Sequence, residues 1–284
     1  MTELRRRMDD DMLARGLADR TRESYLWAVT GLARFYQRSP DQIADDEIQA
    51  YIVHLIRDRQ RAWSTCHIVV NGLRFLYHTT LKHDRTTFTI PSPRQSGTLP
   101  VVLSREEVQR LLDHATTPRY RTMLMTTYAA GLRLSEVIHL RVPDIDSARM
   151  TIRVAQGKGG KDRYTLLSIR LLEALRAYWN VERPTAWLFP GKGAVGPMDP
   201  SSVQKAYQAA KRRAGVTKPG GIHTLRHCFA THLLEAGVDL HTIQRLLGHG
   251  HLSTTTRYVQ LTRHTQIGPA SPLDLLDRLD APAR

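Results

Sequence analysis

The side chains best suited to chemistry fall in four short clusters beyond residue 130. They are Arg133 in GLRLSE; Lys158 and Lys161 in GKGGKDR; His223, Arg226 and His227 in HTLRH; and His249, His251, Arg257 and Tyr258 in LLGHGHLSTTTRYVQ. Together they supply cations, imidazoles and one phenol, with few carboxylates. Guanidinium groups match the non-bridging oxygens of a phosphate diester, and preorganised positive charge stabilises its transition state. The clusters therefore predict chemistry on a phosphate diester.

Two other kinds of site fit these residues less well. GKGGKDR lacks the G-x-x-x-x-G-K-[ST] pattern of a nucleotide-binding loop, and a hairpin rather than a helix is predicted around it. His223 and His227 are four residues apart, as two zinc ligands on one helix face would be. The hydrolytic motif H-E-x-x-H needs glutamate where Thr224 stands, and Arg226 would repel a dication. We expect neither a metal ion nor a cofactor.

Each candidate residue, taken alone, also has a purely structural interpretation. Arg133 could be a surface cation or the partner of a helix dipole, and Lys158 could be a solvated hairpin tip. Tyr258 could be a core or interface aromatic residue. We expect His232 and His241 to be surface residues or helix residues with satisfied hydrogen bonds. The order and spacing of the clusters, rather than any single residue, therefore carry the functional prediction.

The charge of the chain indicates a polyanionic partner. Its 284 residues carry a formal net charge of +14 with 41% hydrophobic content, enough for two folded domains. Residues 1–90 hold 14 Lys and Arg against 12 Asp and Glu, whereas residues 91–284 hold 27 against 15. The excess lies mainly in the later two thirds, which makes nucleic acid the first partner to test.

Cysteine usage and hydropathy predict a cytoplasmic protein. Cys66 and Cys228 are too few for a disulfide framework and lack metal-ligand spacing, so we expect them in the core. No apolar run reaches the length of a membrane span, and the charged N-terminus is unlike a signal peptide.

Hydrophobic periodicity predicts the elements that must position the clusters. The first 80 residues form short helices, among them RTRESYLWAVTGLARFYQR, one at about 45–60 and one that opens with Ser64 as its cap. From Asp84 to Pro100 the sequence is rich in Thr, Ser, Pro and Gly, which is typical of a linker. We place residues 1–85 in a helical domain and residues 86–100 in the linker.

A second domain begins with LSREEVQRLLDHA, in which Ser104 and Glu107 form a capping box. A buried helix ends near Gly131, and Ser135 is placed to cap the next turn. Alternating apolar residues on both sides of the Gly-rich turn in ARMTIRVAQGKGGKDRYTLLS predict a β-hairpin. Further helices are predicted at about 168–182, 201–214, 223–236 and 239–247, with Gly237 as a stop.

The ordered series of an arginine, a hairpin lysine, H-x-x-R, L-G-H and a tyrosine nine residues later resembles the tyrosine recombinase (phage integrase) family, in its Xer and integron-integrase branch. TYAAGLRLSEVIHLRVPDID resembles the first arginine box of that family, and HTLRHCFATHLLEAGVDLHTIQRLLGHGHLSTTTRYVQL resembles the second. The resemblance implies a mainly α fold with a small β-hairpin or sheet. It also implies a SAM-like core-binding domain at 1–85, an α+β catalytic domain at 101–268 and a tail helix at 269–284.

Carried over by position, the resemblance implies six catalytic residues: Arg133, Lys158, His223, Arg226, His249 and Tyr258. The two arginines would bind the scissile phosphate, Lys158 and His223 would transfer protons, and His249 would supply a supporting hydrogen bond. Tyr258 would attack phosphorus and form a 3′-phosphotyrosyl bond. Lys161 shares the hairpin with Lys158 and is the alternative lysine.

Three further expectations follow from the same resemblance. Glu136 would orient Arg133, His251 would be incidental, and His227 would have a packing or hydrogen-bonding role. The implied partner is double-stranded DNA carrying recombination sites, bound by a tetramer whose C-terminal helices are exchanged between subunits.

Two alternatives share part of the resemblance. A tyrosine-type topoisomerase would relax DNA with the same chemistry, and a DNA-binding protein with an inactive site would form no covalent adduct. The presence of all six residues favours an active enzyme.

Overall fold

The structure, a computed structural model, describes residues 2–84, 100–155, 162–194, 196–248, 253–256 and 258–259. These residues divide into two compact units on either side of the gap between residues 84 and 100. The described part of the first unit is helical, and the second adds one small sheet to a helical body. The predicted mainly α class is confirmed.

The described part of the first unit contains four α-helices and one π-helical segment. They are α1 Glu3–Ala14, α2 Asp19–Tyr36, α3 Asp45–Arg57, α4 Trp63–Arg74 and the π-helical Phe75–Thr80. Their apolar faces meet in one core, in which Met12, Leu32 and Leu73 have no exposed surface. The periodicity in the sequence predicts these helices because each buries one stripe of apolar residues.

The start of α4 differs from the prediction that Ser64 caps it. The helix begins at Trp63, and the Ala62 carbonyl accepts hydrogen bonds from the Thr65 and Cys66 amides at 2.9 and 3.1 Å. Ser64 therefore lies inside the first turn, and its prediction as a cap is wrong.

The second unit contains eight α-helices and three strands within its described residues. They are α5 Arg105–Asp113, α6 Pro118–Ala129, α7 Leu134–Ile138, β1 Ile145–Asp146, β2 Thr151–Val154, β3 Arg163–Leu166, α8 Ile169–Glu182, α9 Pro200–Arg213, α10 His223–Glu235, α11 Leu240–Leu247 and α12 Ser253–Thr256. The predicted capping box is confirmed, because the Ser104 hydroxyl accepts from the Glu107 amide and the Glu107 carboxylate accepts from the Ser104 amide. Gly237 follows α10 with a φ of 86°, as expected of a helix stop.

The strands form one antiparallel sheet in the order β1, β2, β3. Ile152 of β2 pairs with Thr165 of β3, and Val154 pairs with Arg163. Ile152 and Val154 are buried, so the alternation in β2 marks its inner face, whereas the apolar Tyr164 and Leu166 of β3 are exposed and Thr165 is buried. Residues 156–161, which include Lys158 and Lys161 and were predicted to form the turn, lie outside the described residues.

Helix α10 runs through the interior of the second unit. Eight of its residues are buried, and they include Leu225, Arg226, Cys228 and Phe229. A helix buried on most sides needs partners for any polar side chain that it carries. Both Cys228 here and Cys66 of α4 are buried and unbridged, as predicted. Among the described helices, none is both long and apolar enough for a membrane span.

Candidate active site

Three of the predicted site residues, His223, Arg226 and Tyr258, meet at or beside α10. His223 is its first residue, Arg226 lies three residues on, and Tyr258 contacts His227 of the same helix. Residues three and four apart lie on one helix face, which explains why HTLRH groups them. The N-terminus of a helix is also the end at which backbone amides favour an anion.

Arg226 is held between the C-terminal ends of two other helices. Arg226 is only 1% exposed. Its Nη1 donates to the Gly131 carbonyl at 2.7 Å, and its Nη2 donates to the Leu247 carbonyl at 2.6 Å. The last carbonyls of a helix lack partners within the helix and accept such bonds. Gly131 and Gly248 adopt φ values of 63° and 64°, which turn the chain sharply after α6 and α11.

The buried Arg226 charge is balanced by Glu136. Its Nη1 lies 3.5 Å from the Glu136 carboxylate, whose side chain is 6% exposed. Burial and, to a smaller extent, the nearby charge of Arg133 lower the pKa of Arg226 to about 9, with Glu136 opposing both. The guanidinium is still charged at neutral pH.

Glu136 is the centre of an ionic cluster. Its two carboxylate oxygens accept from Arg163 Nη1 and Nη2, each at 2.8 Å, and its Oε1 accepts from Arg133 Nη1 at 2.7 Å. Burial alone raises the pKa of this carboxyl group. The hydrogen bonds and charge of Arg163, with smaller contributions from Arg133 and Arg226, outweigh burial and lower the pKa to about 2. Glu136 is therefore ionised at neutral pH and holds three arginines around one point.

Arg133 reaches the same cluster from the first position before α7. The Glu136 Oε2 accepts from the Arg133 amide at 2.8 Å. Glu136 therefore both caps α7 and orients the Arg133 side chain. The predicted contact between Glu136 and Arg133 is confirmed. Ser135 was expected to cap this turn, and this is wrong, because α7 begins at Leu134 and Glu136 makes the capping bond. The Arg133 side chain is 23% exposed, which leaves it accessible from solvent.

Arg163 is the member of the cluster that the sequence analysis missed. Besides its two bonds to Glu136, its Nε donates to the Leu246 carbonyl at 2.9 Å. Its side chain crosses Gly248 so closely that an added Cβ there would lie 2.7 Å from Arg163 Cδ. The one available signal was the position of Arg163 directly after the Gly-rich turn, in GKGGKDR.

A second set of contacts joins His223, His227 and Tyr258. The rings of His223 and His227 pack edge to face, with centroids 4.9 Å apart at 89°. His227 Nδ1 lies 3.1 Å from Tyr258 Oη in a hydrogen bond. His223 is exposed, but the protein atoms around it and the charges of Arg226 and Arg133 lower the pKa of its imidazole. His223 is therefore mainly neutral at pH 7.

Tyr258 lies on the turn that follows α12. It is 2% exposed and packs with Phe229, Ile243 and Leu247. The Tyr258 phenol lies close enough to Arg226 for a phenolate at this position to interact with the guanidinium charge. His232 is a buried helix residue with satisfied hydrogen bonds, one of the two roles expected for it, since its Nδ1 lies 2.8 Å from the Tyr128 hydroxyl.

The remaining candidates lie outside the described residues. These are Lys158, Lys161, His249, His251 and Arg257. The described part of the site thus contains three arginines about one carboxylate, two imidazoles packed edge to face and a hydrogen-bonded phenol. This set can bind a phosphate diester, shield its charge and offer an oxygen nucleophile.

Comparison with known proteins identifies the family to which the chain is similar. Residues 101–264 match the phage integrase family, and residues 4–87 match the phage integrase N-terminal SAM-like domain. The Sinorhizobium fredii protein y4qK, named as an integrase/recombinase, is 43% identical over 279 residues, which span 98% of this chain and 91% of that protein. Tyrosine recombinase XerD of Caulobacter vibrioides is 38% identical over 205 residues, or 66% of each chain.

Two solved structures share the fold. The XerH site-specific recombinase bound to a palindromic difH substrate aligns with a TM-score of 0.73 at 20% identity, over 92% of this chain and 82% of XerH. A lambda integrase dimer bound to a COC′ core site aligns with a TM-score of 0.72 at 17% identity, over 88% of this chain and 95% of that one. The chain therefore belongs to the phage integrase family of tyrosine recombinases, which are DNA strand-transfer enzymes.

Proposed function

We propose that this chain recombines DNA at specific sites, with Tyr258 as the nucleophile and Arg133 and Arg226 as the phosphate-binding pair. The observation that carries the proposal is the arrangement around α10. The helix bears His223 and Arg226, its His227 holds the Tyr258 phenol, and Glu136 ties Arg133 to Arg226. These contacts support a nucleophile and two phosphate-binding arginines about one helix end.

Both arginines keep donors for a phosphate after making their structural bonds. Each terminal guanidinium nitrogen carries two N–H groups, and Arg226 uses Nη1 and Nη2 once each for backbone carbonyls. Arg133 is partly exposed and is oriented by Glu136. Two positive charges fixed before substrate arrives need no reorganisation as negative charge develops on the phosphate oxygens.

In the cleavage step, Tyr258 Oη forms a bond to phosphorus and the bond from phosphorus to the 5′ oxygen breaks. The Tyr258 proton leaves, the strand end remains attached as a 3′-phosphotyrosine, and the 5′ oxygen takes a proton. We assign to Lys158 the proton that the 5′ oxygen takes. His223, mainly neutral at pH 7, is better suited to a hydrogen bond with a phosphate oxygen than to protonating the 5′ oxygen. His249 would add a supporting hydrogen bond.

Rejoining reverses these bonds with a different strand. A 5′-hydroxyl attacks the phosphorus of the phosphotyrosine. The phosphoryl group passes to the 5′ oxygen, and the Tyr258 phenol regains its proton. The covalent bond conserves the energy of the diester, so the exchange requires neither ATP nor a metal ion in principle. The two arginines supply the charge stabilisation that a divalent ion supplies elsewhere.

The proposed partner is duplex DNA in the cytoplasm or nucleoid. Both units would contact the duplex, and the excess of positive charge in residues 91–284 supports strong phosphate binding. We propose a tetramer on two sites. The acidic amphipathic tail at 269–284, with Leu273, Leu276 and Leu279 on one predicted face, would dock on the neighbouring subunit. This tail lies outside the described residues.

The test is covalent capture of DNA by the full-length protein. The protein is incubated with fragments of host genomic DNA, denatured, and the DNA that stays attached is sequenced. We expect enrichment of a defined site with the wild-type protein and no attached DNA with Tyr258→Phe. An adduct that persists in Tyr258→Phe would refute Tyr258 as nucleophile, and no adduct from the wild type would favour an inactive DNA-binding protein.

A second arm examines the arginines and the topoisomerase alternative. Arg133→Ala should slow cleavage of the captured site by about 100-fold, because one preorganised donor is lost. The exposed Arg176 of α8 provides a control, and Arg176→Ala should cleave at the wild-type rate. Relaxation of supercoiled DNA that lacks the captured site, without strand exchange, would favour a topoisomerase instead.

A further inference from the structure

We infer that His227 is a catalytic residue of strand transfer: it accepts the phenolic proton of Tyr258 as the phenol attacks phosphorus. This inference rests on the proposed function and adds a role that the resemblance to the family did not assign. From the sequence, His227 is expected only to pack or to form a hydrogen bond. The geometry around Tyr258 points further.

The first support is the direct contact with the reacting oxygen. His227 Nδ1 lies 3.1 Å from Tyr258 Oη. A general base must lie within about 2.6–3.2 Å of the atom whose proton it removes. In the imidazole tautomer that carries its proton on Nε2, Nδ1 is the acceptor for the phenolic proton. His227 thus already has the position that the proton transfer requires.

The second support is the chemical need for a base. A phenol has an ordinary pKa of about 10, so near neutral pH it is protonated and is a weak nucleophile. Tyr258 is 2% exposed among Phe229, Ile243 and Leu247, which restricts the access of water to its hydrogen bond. A protein group therefore has to receive the proton. Imidazole is the side chain best matched to this task near pH 7.

The third support is the position of the competing histidine. His223 contacts the His227 ring edge to face, at 4.9 Å between centroids, and the surrounding protein atoms together with the charges of Arg226 and Arg133 lower the pKa of its imidazole. Its place at the start of α10 suits the phosphate. The two imidazoles therefore divide the work: His223 faces the phosphate site and His227 holds the nucleophile.

The proton balance closes with this assignment. On cleavage, the Tyr258 Oη–H proton moves to His227 Nδ1, the new bond from oxygen to phosphorus forms, and the 5′ oxygen leaves and is protonated by a different group. On rejoining, the incoming 5′-hydroxyl gives its proton to the group that protonated the leaving 5′ oxygen and forms a bond to phosphorus. The bond from phosphorus to Tyr258 Oη breaks, and His227 returns its proton to that oxygen.

The experiment uses single-turnover cleavage of the duplex recovered by covalent capture. His227→Asn retains a short hydrogen-bonding side chain that cannot take a proton, and His227→Gln is a second variant of different length. We expect each to cleave about 10²- to 10⁴-fold more slowly than the wild type, the range for loss of a general base, with unchanged duplex affinity and melting temperature. His241→Asn, which removes an exposed imidazole from α11, is the matched control and should stay within about twofold.

Two substrate changes separate proton transfer from a structural role. A duplex with sulfur at the bridging 5′ position has a leaving group that needs no proton. It should restore little activity to His227→Asn, whereas it would restore a variant that lacks the leaving-group acid. A fluorinated tyrosine at position 258 is a stronger acid and depends less on a base, so it should narrow the gap between His227→Asn and the wild type by about tenfold or more.

Each outcome bears on the inference separately from the proposed function. The inference would be overturned if folded His227→Asn cleaved within about threefold of the wild-type rate. It would also be overturned if the duplex with sulfur at the bridging 5′ position fully restored cleavage by this variant. Loss of cleavage that fluorinated tyrosine leaves unchanged would make His227 a structural residue and overturn it too. In all these cases Tyr258→Phe would still lack an adduct, so that the proposed function would stand.

Discussion

Replacing Glu136 with glutamine tests the ionic cluster that supports the site. Glutamine keeps the size of the side chain but removes the charge and places an amide N–H₂ against the arginine donors. Arg226 is 1% exposed and Arg163 is 10% exposed at the side chain, so both cations lose their counter-charge away from water. We expect Glu136→Gln to fold with reduced stability and to cleave DNA more slowly.

The contacts of Glu136 determine how much stability Glu136→Gln should lose. A pKa lowered from 4.5 to about 2 corresponds to roughly 3 kcal/mol, at about 1.4 kcal/mol for each tenfold change in ionisation. Removal of one partner of a buried ion pair costs about 3–5 kcal/mol, which agrees. For a unit of this size, a loss of about 3 kcal/mol lowers the melting temperature by roughly 6–12 °C.

The lowered pKa of Glu136 determines how its contribution to stability changes with pH. The folded-state pKa of Glu136 lies below its unfolded value, so the stabilisation is complete above about pH 4.5 and is lost as the pH falls toward about 2. The difference in stability between the wild type and Glu136→Gln should therefore be largest near neutrality and should shrink through that acidic range.

Scanning calorimetry of the full chain at several pH values measures both effects, and it resolves the two units if they unfold separately. Glu173→Gln, at an exposed position of α8, is the matched control and should change the free energy of unfolding by less than about 0.5 kcal/mol. A Glu136→Gln variant within about 1 kcal/mol of wild type at pH 7 would refute the role of the cluster. A deficit that stays constant from pH 7 to pH 3 would do the same.

The glycines and the duplex affinity give further predictions. Gly131→Ala should cost about 2–4 kcal/mol in calorimetry, because φ is 63° and its Cβ would lie 2.4 Å from Phe229 Cδ1, and a cost near that of a control would contradict this. That control is Gly237→Ala, where no heavy atom lies within 4 Å, and it should cost only about 1 kcal/mol of backbone strain. Gly248→Ala should displace Arg163 and slow cleavage by at least about tenfold, whereas an unchanged rate would show that Arg163 tolerates the shift. Duplex affinity in filter binding should fall by about 10³ between 50 and 200 mM salt if six phosphates are contacted, and a flat response would contradict a phosphate-dominated interface.

Local patterns in the sequence predicted the features that depend on neighbouring residues. The capping box at Ser104 and Glu107 and the contact of Glu136 with Arg133 join residues three apart, so spacing alone brings them together. The hairpin followed from alternation in β2 and β3, whereas β1 spans only two residues and has no period to detect. The same reasoning misplaced Ser64, because a serine in the first turn and a serine at the cap look alike in sequence.

The contacts that complete the site join distant parts of the chain. Arg163 meets Glu136 across 27 positions, Arg226 meets Gly131 across 95, and His227 meets Tyr258 across 31. No periodicity encodes such pairs, because they depend on how helices and strands pack. The resemblance to a family singled out Arg226 and Tyr258, but it gave no reason to select Arg163 or to assign chemistry to His227.

The most direct test of strand transfer through Tyr258 is mass spectrometry of the trapped protein–DNA adduct. After nuclease and protease digestion, the peptide that contains Tyr258 should carry a nucleotide joined through a 3′-phosphate to the phenol oxygen. A nucleotide found on any other residue, or DNA attached through a 5′-phosphate, would contradict the proposed chemistry.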